Sequence, residues 1–589
     1  MNNHSNVIAP YASTVIKDLK DMLNISRKQF ADRTAFLTKP VKEQPYVPVT
    51  YRQYADDVDA FGTALLNDLH LDENTATGII GESRYEWYVS YLAIVNGASV
   101  VVPLDKELPP HELANLLCRS HIDALIISPS YFQKLHDALQ IIAEKKLDGL
   151  RLKHIISMGD AAEAAMFAPA RYDLHTFNAL LAAGKTELAN GNRSFVDYVI
   201  DPNRMRILLF TSGTTAAAKA VMHSHATVAT NLMAMCKMVY IAKEDVFFSV
   251  LPLHHTYECT CGFLCPIYRG SCIAQCEGLR YILANLKEAR ATVMLVVPLI
   301  AETFYKKINK GIRVNKMTLA KVNFALTVTK ALRKVGVDKR RDFFKPILDQ
   351  FGGALRLLII GGAKVKPEII DALNAFGLLT LQGYGLTECA PIIALNCDKN
   401  PKSSSAGQAL PGVEIEVANP DENGIGEFIA RGKNVMLGYY NDPAATAAAI
   451  DKDGFFHTGD LGYIDSENFL IITGRKKNVI VTTNGKNIYP EEIEALLADS
   501  PLIQEVVVSG SLNQKGETVI TAEIFPDLEE VKATLNVAKG EVPDQAAMQH
   551  LLEQTVHEIN HRLPTYKAVR QVVLRDTEFP KNTSKKIKR

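Results

Sequence analysis

Short apolar runs recur along this chain at intervals that fit strands separated by helices. Thr77 to Ile80, Ser99 to Pro103 and Ala124 to Ser128 alternate with helical stretches between about residues 50 and 130. The rhythm resumes at Ile155 to Met158, Met205 to Thr211, Thr292 to Val297 and Leu355 to Ile360. These runs have the length of strands, and their alternation with helices is the pattern of an α/β fold. At 589 residues the chain exceeds what one hydrophobic core serves, so at least two domains are expected. No internal repeat or long low-complexity segment interrupts it.

The pattern changes after about residue 400. Val413 to Val417 and Gly426 to Arg431 read as short antiparallel strands, with Asn423-Gly424 as a turn between them. A boundary is expected near Gly474-Arg475-Lys476-Lys477, dividing the chain into residues 1–475 and 476–589. The second part reads as a small α+β unit. Pro490-Glu491-Glu492 opens a helix, with proline in its first turn and acids at the positive end of the dipole. Strands follow at Glu505 to Val508 and Val519 to Ile524, then a helix over Gln545 to Arg562, a strand over Ala568 to Leu574, and a basic tail, Lys581 to Arg589. Near the beginning, residues 12–33 read as an amphipathic helix with Val15, Leu19, Met22 and Leu23 on its core-facing stripe.

Charge and cysteine usage narrow the function. Lysine plus arginine equal aspartate plus glutamate at 65 each, so no overall field favours nucleic acid. No apolar run approaches the roughly 20 residues of a membrane helix, and Met1 to Pro10 lacks the regions of a secretory signal. Nine cysteines in a chain of this length fit a reducing compartment, and a cytoplasmic protein is expected. Cys259, Cys261 and Cys265 lack the paired C-x2-C spacing of a zinc site, and neither His223 with His225 nor His254 with His255 has a zinc spacing. These groups read as interior residues.

Four segments carry candidate chemistry. Thr211-Ser212-Gly213-Thr214-Thr215-Ala216-Ala217-Ala218-Lys219 follows the apolar run Met205 to Phe210. Hydroxyls and backbone N–H groups around a glycine, closed by a lysine, suit a polyphosphate, although ordinary loops use the same residues. It is not a Walker A loop, because Ala218 and Ala220 stand where that pattern needs glycine and a hydroxyl. Gly361-Gly362-Ala363 directly follows an apolar run, where glycines let a ligand approach the backbone. Gln382-Gly383-Tyr384-Gly385-Leu386-Thr387-Glu388 offers a ring to stack on a base, a hydroxyl, and a carboxylate suited to Mg²⁺. His457-Thr458-Gly459-Asp460 offers a carboxylate for a ribose diol, and Arg475 a planar, permanently charged donor.

Taken together and in this order, Thr211 to Lys219, Tyr384 to Glu388, Thr458 to Asp460 and Gly474 to Tyr489 resemble the core motifs of the adenylate-forming superfamily. Tyr439-Tyr440, Pro490 to Glu494 and Leu251-Pro252-Leu253-His254-His255-Thr256-Tyr257-Glu258 are similar to its fatty acyl-CoA synthetase branch. The resemblance implies a large N-terminal adenylation domain of several subdomains and a small mobile α+β C-terminal domain. It implies a ligase that attacks the α-phosphate of Mg·ATP with a carboxylate and passes the acyl group to CoA. Under it, Lys219 and residues 212–215 hold the β- and γ-phosphates, with Thr214 near Mg²⁺ and Glu388 ligating it. Thr211, Gly362, Gln382, Gly383, Gly385 and Thr387 belong to the nucleotide site, with Thr387 also catalytic. Ala363 and Tyr384 flank the adenine, and Asp460 and Arg475 hold the ribose.

By the same resemblance, Lys586 is the catalytic lysine, Lys477 the hinge, Gly485 a wall of the pantetheine passage, and His255 the mouth of the acyl pocket. Segments 254–265 and 297–308 are the expected pocket walls. ATP, CoA and a fatty acid are then the partners, with membrane contact at most peripheral and a homodimer possible. The chain departs from the family pattern at Ala216 and Ala220, where glycine is usual, and at Lys585, which competes with Lys586 for its role. Two alternatives stand beside the CoA ligase: transfer to an acyl carrier protein, and a nucleotide-binding homologue weakened in catalysis.

Overall fold

The computed structural model describes residues 9–160, 171–211, 218–481, 487–512, 518–538, 541–581 and 587. The apolar runs form the centres of two large sheets. One has nine strands. Its six parallel members run Thr34–Thr38, Cys272–Gln275, Val246–Ser249, Val293–Val296, Leu357–Ile360 and Leu379–Gly385, with antiparallel strands at both edges. The other has eight strands, six of them parallel: Met205–Phe210, Val100–Pro103, Ala76–Ile80, Ala124–Ile127, His154–Ser157 and Asp173–Thr176.

Central strands such as Val293–Val296 and Ala124–Ile127 are continuous apolar runs because both of their faces are buried. In Val293–Val296, Val293 and Leu295 enter a core shared by the two sheets, while Met294 and Val296 enter a second core beneath the helices Ile282–Ala289, Pro298–Ile312 and Pro367–Ala375. In Ala124–Ile127, Ala124 and Ile126 join the shared core. Leu125 and Ile127 join a third core, under Pro110–Arg119 and Phe132–Lys145. The period of two along each strand thus builds a layered molecule with the shared core at its centre.

A four-stranded antiparallel sheet follows: Val413–Ala418, Gly426–Gly432, Phe456–Ile464 and Leu470–Arg475. The Asp421 carboxylate accepts from the N–H groups of Asn423 and Ile425 in its first turn, and Gly424 takes φ +76 there. Beyond residue 476 stand the helices Pro490–Leu497 and Gln545–Asn560 and the strands Ile503–Leu512, Thr518–Pro526 and Gln571–Leu574, around a core of their own.

The first helix differs from expectation. It spans Leu19–Phe30, because the Asp18 side chain accepts from Asp21 N at 2.7 Å and caps it there. Leu19, Met22 and Leu23 are buried, but Val15 precedes the cap and is 78% exposed. Among the described residues no helix is long and apolar enough to cross a membrane.

Candidate active site

The carboxyl ends of two adjacent parallel strands bring several of the candidate residues side by side. Leu357–Ile360 runs beside Leu379–Gly385 with Ile360 level with Gln382, so Gly361-Gly362-Ala363 and Gln382-Gly383-Tyr384 emerge side by side. Gly361 is required by close approach: a Cβ there would lie 2.8 Å from the Tyr257 ring, whose hydroxyl donates to Ile359 O at 2.8 Å. Gly362 has φ +86, and it and Ala363 are exposed. Lys364 reaches across to Ile472 O of the four-stranded sheet at 3.3 Å.

On that sheet, Asp460 and Arg475 are cross-strand partners. Arg475 Nε donates to Asp460 Oδ1 at 2.8 Å, and the Tyr384 hydroxyl donates to Asp460 Oδ2 at 2.8 Å. Asp460 and Tyr384 are buried, and burial, with the Asp460 charge beside it, drives the Tyr384 hydroxyl well above its ordinary value. Two neighbouring strands and one distant segment therefore supply a single polar group.

A second group forms at the edge of the eight-stranded sheet. Met205–Phe210 and Ala220–Ser224 are antiparallel with Phe210 opposite Ala220, and Thr211 N donates to Lys219 O at 2.9 Å. The loop between them is thus closed as a hairpin, with Lys219 exposed at its base. The Lys219 ammonium lies 4.5 Å from the centre of the Tyr439 ring, and the Tyr439 hydroxyl donates to Glu388 Oε1 at 3.0 Å. Gly438–Tyr439 pairs with Ala220–Ser224, and Met436 N donates to Glu388 O at 2.8 Å. Ala220, where the family pattern has glycine, lies in extended strand conformation without positive φ, so an alanine fits there unstrained.

The segment carrying Thr387 and Glu388 is clamped from beneath. His223 Nε2 faces Thr387 O at 2.7 Å, and a carbonyl only accepts, so Nε2 carries the proton. Burial pushes His223 down to about 4, which keeps it neutral, with Nδ1 left to pair with the Thr227 hydroxyl. Asn231 and Asn434 both donate to the carbonyls of Cys389 and Ile392. A Cβ at Gly385 would lie 2.1 Å from Pro391 O, so only glycine fits. His225 is a core strut: Leu19 N donates to its Nδ1, and its Nε2 donates to Val95 O. Burial pushes it down to about 3.

The acyl-side candidates gather on the other flank. His254 Nε2 lies 3.5 Å from Asp105 Oδ2, and the ring of His255 is beside that of His254 at 5.6 Å. His255 precedes a π-helical turn, Tyr257–Leu264, which puts Glu258 in the interior. Ser249 donates to Glu258 Oε1 at 2.7 Å, and the Tyr88 hydroxyl donates to Ser249 at 3.0 Å. Glu258 Oε2 is buried without a hydrogen-bond partner among the described residues. Burial raises this carboxyl to about 8, a rise the Ser249 hydrogen bond only partly offsets. Below the turn is an apolar cavity of about 30 Å³, lined by Tyr257, Cys261, Cys265, Met235 and Ile359 among others. Segment 254–265 contributes to its wall. Segment 297–308 does not: it turns Ala301, Phe304 and Ile308 into the second core instead.

At the junction with the C-terminal part, Glu427 accepts from Lys476 Nζ at 2.8 Å, His457 Nδ1 at 3.1 Å and Gly459 N at 3.0 Å. Burial raises its carboxyl, but these donors together outweigh burial and leave it below its ordinary value. Lys477 sits in the short turn Lys476–Asn478 that leaves the four-stranded sheet. Across the junction, Lys366 pairs with Asp499 at 2.7 Å. Ser212, Gly213, Thr214, Thr215, Ala216, Gly485, Lys585 and Lys586 lie outside the described residues. Sequence reasoning missed the clamp of His223, Asn231 and Asn434, and it missed Glu427 and the bridging position of Tyr439. Only Tyr439, singled out within Tyr439-Tyr440, was marked by the sequence, and without a role.

A profile described as the AMP-binding enzyme matches residues 24–440, and one described as the AMP-binding enzyme C-terminal domain matches 477–589. Long-chain-fatty-acid–CoA ligase 6 of Mus musculus is 27% identical over 486 residues, covering 80% of this chain and 68% of the relative. The chloroplastic long-chain-fatty-acid–[acyl-carrier-protein] ligase AEE15 of Arabidopsis thaliana is 25% identical, covering 89% and 78%. Among solved structures, ATP-bound MatB from Rhodopseudomonas palustris is similar in fold, with TM-score 0.71, 24% identity and 97% of each chain covered.

Proposed function

This chain belongs to the AMP-binding enzyme family, the adenylate-forming ligases, and from that premise we propose that it activates a fatty acid and transfers it to CoA. The observation that supports the reading is the pair of polar groups Lys219–Tyr439–Glu388 and Tyr384–Asp460–Arg475, which share the short segment Tyr384 to Glu388. Attack of a carboxylate on ATP brings an anion to a polyanion, so positive charge must stand ready before the reaction. Lys219 supplies it at the base of its hairpin, with Thr211 and residues 212–215 donating to the β- and γ-phosphates. The carboxylate oxygen bonds to the α-phosphorus, the bond to pyrophosphate breaks, and acyl-adenylate forms. CoA sulfur then attacks the acyl carbon, and AMP leaves with the electron pair.

Asp460, held by Tyr384 and Arg475, is assigned to accept from the ribose hydroxyls. Ala363 and one face of Tyr384 border the base, and Thr387 donates to phosphate. Gly362, exposed and at positive φ, leaves the backbone open to the nucleotide, and Gln382, Gly383 and Gly385 are assigned to the same site. Glu388 fits a Mg²⁺ ion that arrives with ATP: it is a hard oxygen donor whose Oε1 is oriented by Tyr439, beside a hydroxyl residue and a lysine. The ion supplies charge neutralisation on the phosphate oxygens when bound. Lys586 is assigned to bridge carboxylate and α-phosphate, Lys477 to the hinge and Gly485 to the pantetheine passage. His255 stands at the acyl entrance.

The relatives named as long-chain ligases and the apolar cavity behind Tyr257 favour a fatty acid. The cavity is far too small for an acyl chain, so acyl binding requires its soft sulfur-bearing wall to repack. The named carrier-protein ligase supports the second reading, in which the acceptor is a phosphopantetheinyl carrier protein. The test is AMP and pyrophosphate release over a panel of fatty, aryl and short acids, with CoA, with a carrier protein and with neither. Fatty-acid-dependent release that rises with CoA is expected. A folded protein silent over the whole panel would refute the ligase, and release that rises only with the carrier would select the second acceptor.

A further inference from the structure

The protein is neutral as a whole but strongly polarised. Residues 298–345 contain thirteen Lys or Arg against three Asp or Glu, so the remainder carries 52 against 62. Within that stretch the helix Lys316–Lys334 has five basic residues and no acidic one. Two of the three acids are already taken, Asp338 by Arg340 and Asp342 by Lys339. A balanced surface would intersperse the signs, and this one does not.

The same helix is poorly covered. Of its nineteen residues only Thr329 is buried. Val322, Ala325 and Leu326 rest against the second core, while Phe324 and Met317, on the other side, are 69% and 68% exposed. Val314 and Val335, flanking its two ends, are 75% and 74% exposed. Eight of the twenty-two exposed large hydrophobic residues among those described fall between Leu299 and Phe343. An exposed helix that combines aromatic and aliphatic side chains with unopposed lysines has the chemistry of an interfacial helix.

We propose that the face built by Lys316–Lys334 and its flanks docks on an anionic lipid surface. The lysines meet the headgroup charge, and Phe324 and Met317 enter the headgroup boundary beside them. A second copy of this chain is a poor occupant, because two such faces repel. A soluble polyanion such as an acidic protein would satisfy the lysines and leave Phe324 and Met317 without a role. The helix Pro298–Ile312, which leads into this face, begins two residues beyond the end of Val293–Val296, and Val297 borders Gly362. One helix therefore joins the docked face to the candidate site, although the inference does not depend on the ligase reading.

The test is co-sedimentation of the full chain with phosphatidylcholine vesicles, with and without phosphatidylglycerol, at low and high salt. Three variants are compared: wild type, Lys316→Gln/Lys321→Gln/Lys330→Gln, and Phe324→Ala. All four altered residues are exposed, and an unchanged thermal midpoint confirms folding. Wild type should bind the anionic vesicles and release at high salt. Each basic residue near such a surface contributes about a fivefold factor in affinity, so the triple variant should lose at least about tenfold. Phe324→Ala should lose about fivefold. Equal affinity for neutral vesicles, or no binding to either, would overturn the proposal. So would lysine-dependent binding indifferent to Phe324, which would point to a soluble polyanion instead.

Discussion

Replacing Glu258 by glutamine should flatten one part of the pH dependence of stability. Glu258 is almost fully buried, receives one hydrogen bond from Ser249, and has its second oxygen unpartnered among the described residues. Burial raises its carboxyl to about 8, against roughly 4.3 in an unfolded chain. The folded state therefore holds a proton that the unfolded state has released, across the window between these values. Stability carried by this group is fully present below about 4.3 and is lost as pH rises through 8. Between pH 5 and pH 8 the loss amounts to about 3 kcal/mol.

Glutamine keeps the shape and the acceptor for Ser249 but cannot ionise. Its amide hydrogens cost a roughly constant amount, on the order of 1 kcal/mol, at every pH. The assay is the denaturant midpoint of wild type and Glu258→Gln, measured in parallel from pH 5 to pH 8.5. His223 and His225 titrate identically in both proteins, so their effect cancels in the difference. The two curves should converge or cross as pH rises, with the variant gaining on wild type by about 3 kcal/mol. Curves that stay parallel would mean that Glu258 is hydrated or charge-paired, and the reasoning from burial would fail.

Gly385→Ala puts a Cβ 2.1 Å from Pro391 O, so the backbone that presents Thr387 and Glu388 must shift; we expect a stability loss of about 3 kcal/mol and a marked rise in KM for ATP, checked by calorimetry and steady-state kinetics. Normal ATP kinetics would show that the clamp is not needed. Lys586→Ala should slow adenylation by about a hundredfold or more while sparing thioester formation from supplied acyl-adenylate; equal loss in both half-reactions would contradict its assignment. Ala220→Gly should not raise turnover, because residue 220 is an extended strand residue, and glycine there should cost about 0.5–1 kcal/mol of stability. A rise in turnover would show that the hairpin base itself limits the reaction.

Much of the layered fold was legible in the sequence, for a physical reason. Ala124–Ile127 and Val293–Val296 are buried on both faces, so every position is apolar and the strands stand out locally. Thr34–Thr38 was not singled out, because its apolar run is short and flanked by polar residues. The helix beginning at Leu19 was overextended, because periodicity alone could not tell that Asp18 caps it. At the site, the residues with unusual local chemistry were identifiable as candidates: Lys219, Tyr384, Glu388, Asp460. Their supports were not. His223 meets Thr387 across 164 residues, and Asn231 reaches Ile392 across 161, contacts that leave no periodic or local trace. The segment 297–308 shows the same limit: its apolar stripe fits a pocket wall or a core equally well, and in the structure Phe304 packs against Phe351.

The two-residue strand Gly438–Tyr439 has a mechanical consequence. Its backbone is registered to the hairpin that ends in Lys219, its neighbour Met436 is tied to the backbone of Glu388, and its ring lies between the lysine and the carboxylate. Handles for opposite charges are thus mounted on a single bracket. A shift of that bracket displaces both at once and preserves the gap between them, so substitutions at 222, 436 or 439 should retune the pair jointly and never one member alone.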